Sequence, residues 1–415
     1  MWSAPPPTSD EVWNDAVNAI YGEPFGFDTS KMMAWNTSQA EAIAAANPNL
    51  KHLGYEFVVA RADVPFPVLQ AALMGPSNYS PYDGATRAYS VLEMTPLAAG
   101  QAMAQDVAYV GDGGAKTVAV GGFVEAHAFG AAPTNASAAA APGAPGRATA
   151  RMAPAANAKP FTLASAVGVS SEAYGSEFAA LGLDALEDFD YEADMWTPRA
   201  ADAAPKATSM LLSDGGCIEN LGVVPLLQRG VRSIVSWDAA NAPLADAAAY
   251  DPYADEPSDA VVDGYLASLF GYDVYGSDAD GEFVANNQVF DAAGYAPLVA
   301  GLQAAQAAGD GACAGVDATT QENALLGVAG GRAVRFTVCV LDAPANWLAA
   351  LPDDVRASID AGAKGAFENF PYYDTFTQTE LTPAQANLMA NAMTWIVLKN
   401  EALFAAAVDA GEAGR

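Results

Sequence analysis

Residues 207–238 read ATSMLLSDGGCIENLGVVPLLQRGVRSIVSWD. ATSMLLS (207–213) has the composition of a strand, DGG (214–216) is a turn, and IENLGVVPLLQRG (218–230) starts as a helix. VRSIVSW (231–237) is a second strand that stops at Asp238. Strand, glycine turn, helix and strand within about 30 residues predict a βαβ crossover, which implies a parallel pair in a covered sheet.

The rest of the chain fits an α/β reading. Strand signals recur at Tyr55–Arg61, Arg87–Met94, Lys116–Phe123 and 332–342, separated by Gly and Pro. Leu163–Leu183 is apolar at helical spacing. Thr382-Pro383-Ala384-Gln385 has the capping-box pattern with Pro at the first helical position, and predicts a helix to about Ala410. Residues 131–160 are almost all Ala, Pro, Gly and Asn, and read as a low-complexity insertion. Between Ser233 and Gly331 there are 15 acids and no Lys or Arg, so 240–330 reads as an acidic surface excursion.

Of 415 residues, 52% are hydrophobic, which supplies a core and excludes a wholly disordered chain. Eighteen Lys and Arg against 49 Asp and Glu leave a net charge of −31. Such a surface repels phosphate backbones and argues against a nucleic-acid partner. No uncharged apolar run reaches the length of a transmembrane helix. The N-terminus lacks the basic and apolar regions of a signal peptide, and the compartment stays open, with the cytoplasm as the default. Cys217, Cys313 and Cys339 allow one disulfide but imply none. Two histidines and scattered cysteines suggest no metal site.

Asp214-Gly215-Gly216 sits where a strand feeds a helix, the place where open α/β sheets put function. The first glycine lets the chain turn sharply; the second lets another backbone or a substrate approach. A helix N-terminus after Asp214 would favour its ionised form. That carboxylate could take a proton from a serine hydroxyl. Glu219 and Asn220 fall in the first turn of the helix and read as caps.

The flanks resemble the aspartate segment of the cytosolic phospholipase A2 and lysophospholipase group, relatives of the patatin-like acyl hydrolases. The matching features are Asp214, Gly215-Gly216, Asn220, Pro225-Leu226-Leu227, Arg229-Gly230-Val231 and Asp238. Pro65–Val68, Leu92–Pro96, Gly121–Glu125, Phe129-Gly130 and Ala166–Phe178 are similar to further family segments in the same order, as are Phe370-Pro371 and the helix from Pro383. The resemblance implies a mixed, centrally parallel sheet with helices on both faces, in a single, partial catalytic domain over 1–410. It implies hydrolysis of a phospholipid or lysophospholipid acyl ester by a Ser–Asp dyad at a transient membrane or micelle surface. Asp214 would be the general base, backbone amides would hold the oxyanion, and neither metal nor cofactor would be needed.

No Gly-x-Ser-x-Gly elbow is present. Gly168–Glu172 lacks the second glycine, and Gly75–Tyr79 has Pro76 inside the turn. Three expectations follow: a chain lacking the N-terminal elbow portion of a longer hydrolase, an inactive relative that binds lipid or a partner, or Ser170 or Ser171 as a displaced nucleophile. An acidic structural or interaction protein, with DGG as a turn alone, is the reading from another class. Asp112-Gly113-Gly114 reads as a hairpin turn, and GDGGAKT (111–117) fails as a phosphate loop because a strand follows. Asp278–Gly281 fails as a calcium loop on its spacing. His127 reads as structural, and Cys217 as a small buried hydrophobe.

Overall fold

The computed structural model describes residues 9–76, 89–111, 114–139, 147–153, 160–172, 191–196, 207–240, 243–274, 281–362, 367, 369–373 and 381–412. Helices and sheets mix throughout, and the chain divides into two compact units, Met1–Ile218 and Glu219–Arg415. Asp112, Gly113, Ser77, Asp278 and Asp280 lie outside the described residues.

In the first unit, Lys31–Ala34 (β1) and Glu56–Val59 (β2) pair in parallel. The helix Thr37–Ala46 connects them, its N-terminus capped by Asn36, which accepts the Gln39 N–H at 2.8 Å. Then come Leu69–Gly75 (β3), Ser90–Met94 (β4), Ala98–Gly111 (β5) and Gly114–Glu125 (β6). Ala132–Ala139 (β7) and Arg147–Ala153 (β8) pair as an antiparallel hairpin inside the Ala/Pro/Gly stretch. Tyr191–Trp196 (β9) and Ala207–Asp214 (β10) complete the unit.

Six of these strands form one sheet in the order β6-β5-β4-β3-β10-β9. Every pairing in it is antiparallel, so the expected parallel centre is absent from this sheet. Ala71 and Leu73 of β3, Leu92 and Met94 of β4, and Met210 and Leu212 of β10 are buried in one cluster with Phe161 and Val169. Each pair is two residues apart, which puts both members on the same face. The helix Leu163–Ser170 starts at a capping box between Thr162 and Ser165. It runs so close to the helix Ser9–Tyr21 that a Cβ on Gly168 would lie 1.7 Å from Asn14 Oδ1. Trp13 Nε1 donates to the Gly168 carbonyl across that contact, at 3.1 Å.

The second unit holds Ser233–Asp238 (β11), Cys313–Thr319 (β12) and Ala333–Val340 (β13), in the order β11-β13-β12. β11 runs parallel to β13, and β12 antiparallel to it. The expected crossover from β10 to β11 is therefore corrected: these strands belong to different sheets. β10 is flanked by β3 and β9, so neither of its edges is open to β11. Cys313 meets Ile396 on one face of β12, while its neighbour Ala314 lies against Gly301. Adjacent strand residues point to opposite faces, so helices cover both sides of this sheet.

The acidic stretch 240–330 has an apolar interior. Phe270, Phe290, Tyr295, Leu298 and Leu302 are buried, and the Phe290 ring lies 5.0 Å from that of Phe336 on β13. Buried Asn323 ties the stretch together: its Nδ2 donates to the Asn286 and Gln288 carbonyls at 2.9 and 3.0 Å. The C-terminal helix starts as expected at the Thr382–Gln385 capping box. It stops at Lys399, and a second helix runs over Glu401–Glu412. Asn400 separates them and donates to the Asp310 carbonyl at 3.2 Å.

Cys313 and Cys339 face each other in the β12–β13 register and form a disulfide, buried with Ile396. Cys217 stands outside the disulfide. Denatured without reductant, the protein is expected to show one reactive thiol, and three after reduction. The bond closes a sequence separation of 26 residues. On the loop-entropy account, that is worth about 3.5 kcal/mol, read as a lowered denaturant midpoint on reduction. Three reactive thiols before reduction would contradict this.

Candidate functional site

β10 brings its carboxyl end, Asp214, opposite Ala71 of β3. There the chain leaves the sheet through a 3-10 turn over Gly215–Cys217. Asp214 Oδ1 accepts the Gly216 N–H at 2.8 Å, so the turn closes on its own first residue. Gly215 is buried, and a Cβ there would lie 2.8 Å from the Gln70 carbonyl oxygen. The expected division of labour between the glycines is thus reversed. Gly215 admits the neighbouring backbone, while Gly216 supplies the amide that holds the carboxylate.

The charge expectation also needs correction. Burial pushes the Asp214 carboxyl up to about 6, and the Gly216 N–H only partly offsets it. The turn is three residues long and the next α-helix begins at Val224, so no aligned stack of peptide dipoles meets Asp214. Near neutral pH the group is mostly ionised but easily protonated, a useful poise for a general base.

The serines around this turn have other work. Ser170 Oγ donates to the Gln70 carbonyl at 2.7 Å. Ser171 Oγ donates to the Val167 carbonyl at 2.8 Å. Both sit at the carboxyl end of the helix Leu163–Ser170, where outward carbonyls oppose a developing oxyanion. Ser213 is buried and donates to the Glu172 carbonyl at 3.0 Å. Among the described residues, no hydroxyl donates to the Asp214 carboxylate. Cys217 is half-buried, its Sγ 3.8 Å from Ser213 Oγ.

Glu219 and Asn220 open the second unit. Glu219 is buried, and its carboxylate accepts the N–H groups of Leu221, Val223 and Val224 at 2.6, 2.7 and 3.2 Å. It thereby organises the loop into the helix Val224–Gln228. Asn220 is exposed.

One further group had no clear sequence signal. Gln70, in the unremarkable run PVLQAAL, has its side-chain Nε2 3.3 Å from the Gly215 carbonyl, to which it donates. Asp238, which the sequence marks as a strand end, is the last residue of β11; it is buried, and among the described residues its Oδ2 has no hydrogen-bond partner. Burial and the nearby Asp263 raise its pKa well above the usual carboxylate range. His127 is largely buried and its pKa is lowered by that burial. Among the described residues, no cluster of three or more His, Cys, Asp or Glu could hold a metal ion. Nor is any described helix long and apolar enough to cross a membrane. Comparison of the chain with protein-family models, with curated proteins and with solved structures found no match.

Proposed function

We propose that the protein hydrolyses the acyl ester of a phospholipid or lysophospholipid through a Ser–Asp dyad of the patatin and cytosolic phospholipase A2 type, with Asp214 as general base. The observation that carries this reading is the state of Asp214. It is a carboxyl at a strand end, fixed by one backbone amide and held by burial at about 6. A base of that strength takes a serine proton as the hydroxyl attacks the ester carbonyl, and returns it to the leaving alcohol. Deacylation repeats the cycle with water. The described hydroxyls nearest the turn donate to main-chain carbonyls, and the nucleophile is not identified in this chain.

Those same carbonyl bonds favour a second reading, a relative of this fold that binds lipid without turnover. Hydrolysis of lysophosphatidylcholine against pH separates the two. The dyad predicts a rate that rises through about pH 6 as Asp214 ionises, then levels off. Vesicle or micelle binding with no ester cleavage at any pH would support the binding reading instead.

A further inference from the structure

We infer that Gln70 is a positioning residue for Asp214, acting through the single peptide group that joins Gly215 to Gly216. This inference rests on the proposed role of Asp214 as a base.

The β3–β10 ladder pairs Ser213 with Ala72 and Asp214 with Ala71, and β10 then ends. The next β3 residue in line is Gln70, which would have faced Gly215 had the ladder continued. Instead, two side-chain bonds are found there. The Gln70 carbonyl accepts the Ser170 hydroxyl at 2.7 Å. The Gln70 side-chain amide donates to the Gly215 carbonyl at 3.3 Å, beside the Ile218 N–H, which donates to the same oxygen at 3.0 Å. Only a glycine at 215 permits this approach, because a Cβ would meet the Gln70 carbonyl at 2.8 Å.

The Gly215 C=O and the Gly216 N–H belong to one planar peptide unit and point in opposite directions. Holding the oxygen therefore aims the hydrogen. That hydrogen is the one donated to Asp214 Oδ1 at 2.8 Å. The result is a relay from the Gln70 N–H to the Gly215 carbonyl, and from the Gly216 N–H to the Asp214 carboxylate. Donation to a peptide oxygen also polarises the N–H of the same peptide, so the second bond is strengthened by the first. Ser170 anchors the main chain of Gln70 at the base of the relay. The serine that resembled a displaced nucleophile is thus a support for the site.

The Gly216 N–H favours the ionised form of Asp214, so weakening it moves the titration of Asp214 upward. The test is carboxyl carbon NMR titration of the folded full chain labelled at Asp. The Asp214 signal is assigned by its loss in Asp214→Asn. Gln70→Met keeps the length and removes the donor, and is expected to raise the Asp214 midpoint by about half a pH unit. Gln70→Asn keeps an amide that is one methylene too short to reach, and serves as the second variant should Gln70→Met fold poorly. Its midpoint is expected to move the same way. Faster deuterium exchange at the Gly216 amide should accompany both shifts. An unmoved Asp214 midpoint in a folded variant at position 70, whatever its melting temperature, overturns the inference. Because this readout needs no turnover, absence of hydrolysis would count against the dyad and leave the relay standing. Where hydrolysis is present, the acid limb of kcat moves up with the NMR midpoint while KM is unchanged.

Discussion

Asp214→Asn is expected to slow hydrolysis severely and, at neutral pH, to make the protein more stable. Removing a general base costs about 10²–10⁴ in rate. The stability gain follows from the same burial that makes Asp214 a useful base. Its carboxyl titrates at about 6 in the folded protein, against 3.8 for the free side chain. Between those values the folded state binds more protons than the unfolded one, so stability falls as pH rises through this window. The contribution is fully present below pH 3.8 and lost above about pH 6. The difference is up to about 3 kcal/mol. Asparagine is never charged and keeps an acceptor for the Gly216 N–H. Asp214→Asn should therefore gain about 1–3 kcal/mol at pH 7–8 and show a flatter stability profile between pH 4 and 6. Urea unfolding across that range checks it. Equal stability loss at all pH values would mean that Asp214 is a structural turn residue.

Glu219→Ala is expected to be the most damaging single substitution in the loop after the site. Glu219 serves the Leu221, Val223 and Val224 amides from a buried position. Truncation leaves them without their acceptor, at a cost of about 3–5 kcal/mol. Glu219→Gln keeps Oε1 for Val223 and Val224 and loses the bond to Leu221. Burial raises the pKa of the native carboxyl, so the neutral side chain avoids a desolvation cost and should lose much less. Denaturant unfolding of the two variants gives the order. A loss under about 1 kcal/mol in Glu219→Ala would refute this account of the loop.

The Asp214 turn was legible because its signal is local. A strand composition followed by Asp-Gly-Gly needs no knowledge of distant residues. The sheet around it was not legible, because strand composition does not name a partner. Residues 207–213 and 231–237 look like neighbours in sequence, yet β10 is enclosed by β3 and β9 and β11 pairs with β13. β5 and β12 were missed because Ala, Gly, Gln and Asp carry little strand preference, and their places are set by cross-strand packing. The apolar residues of 240–330 were masked by the acids between them. The disulfide depended on the register that puts Cys313 opposite Cys339. Gln70 could not be found by motif, because its effect on Asp214 runs through a peptide plane that any sequence possesses.

The measurement that bears most directly on the central claim is labelling of the full 415-residue chain with a serine-directed fluorophosphonate, followed by peptide mapping. The account predicts one labelled serine, other than Ser170, Ser171 or Ser213. Its labelling rate should rise through about pH 6, and Asp214→Asn should suppress it. Equally fast labelling in Asp214→Asn would contradict the assignment of Asp214 as the base; a folded chain that takes no label would mean that it holds no nucleophile for Asp214 to serve.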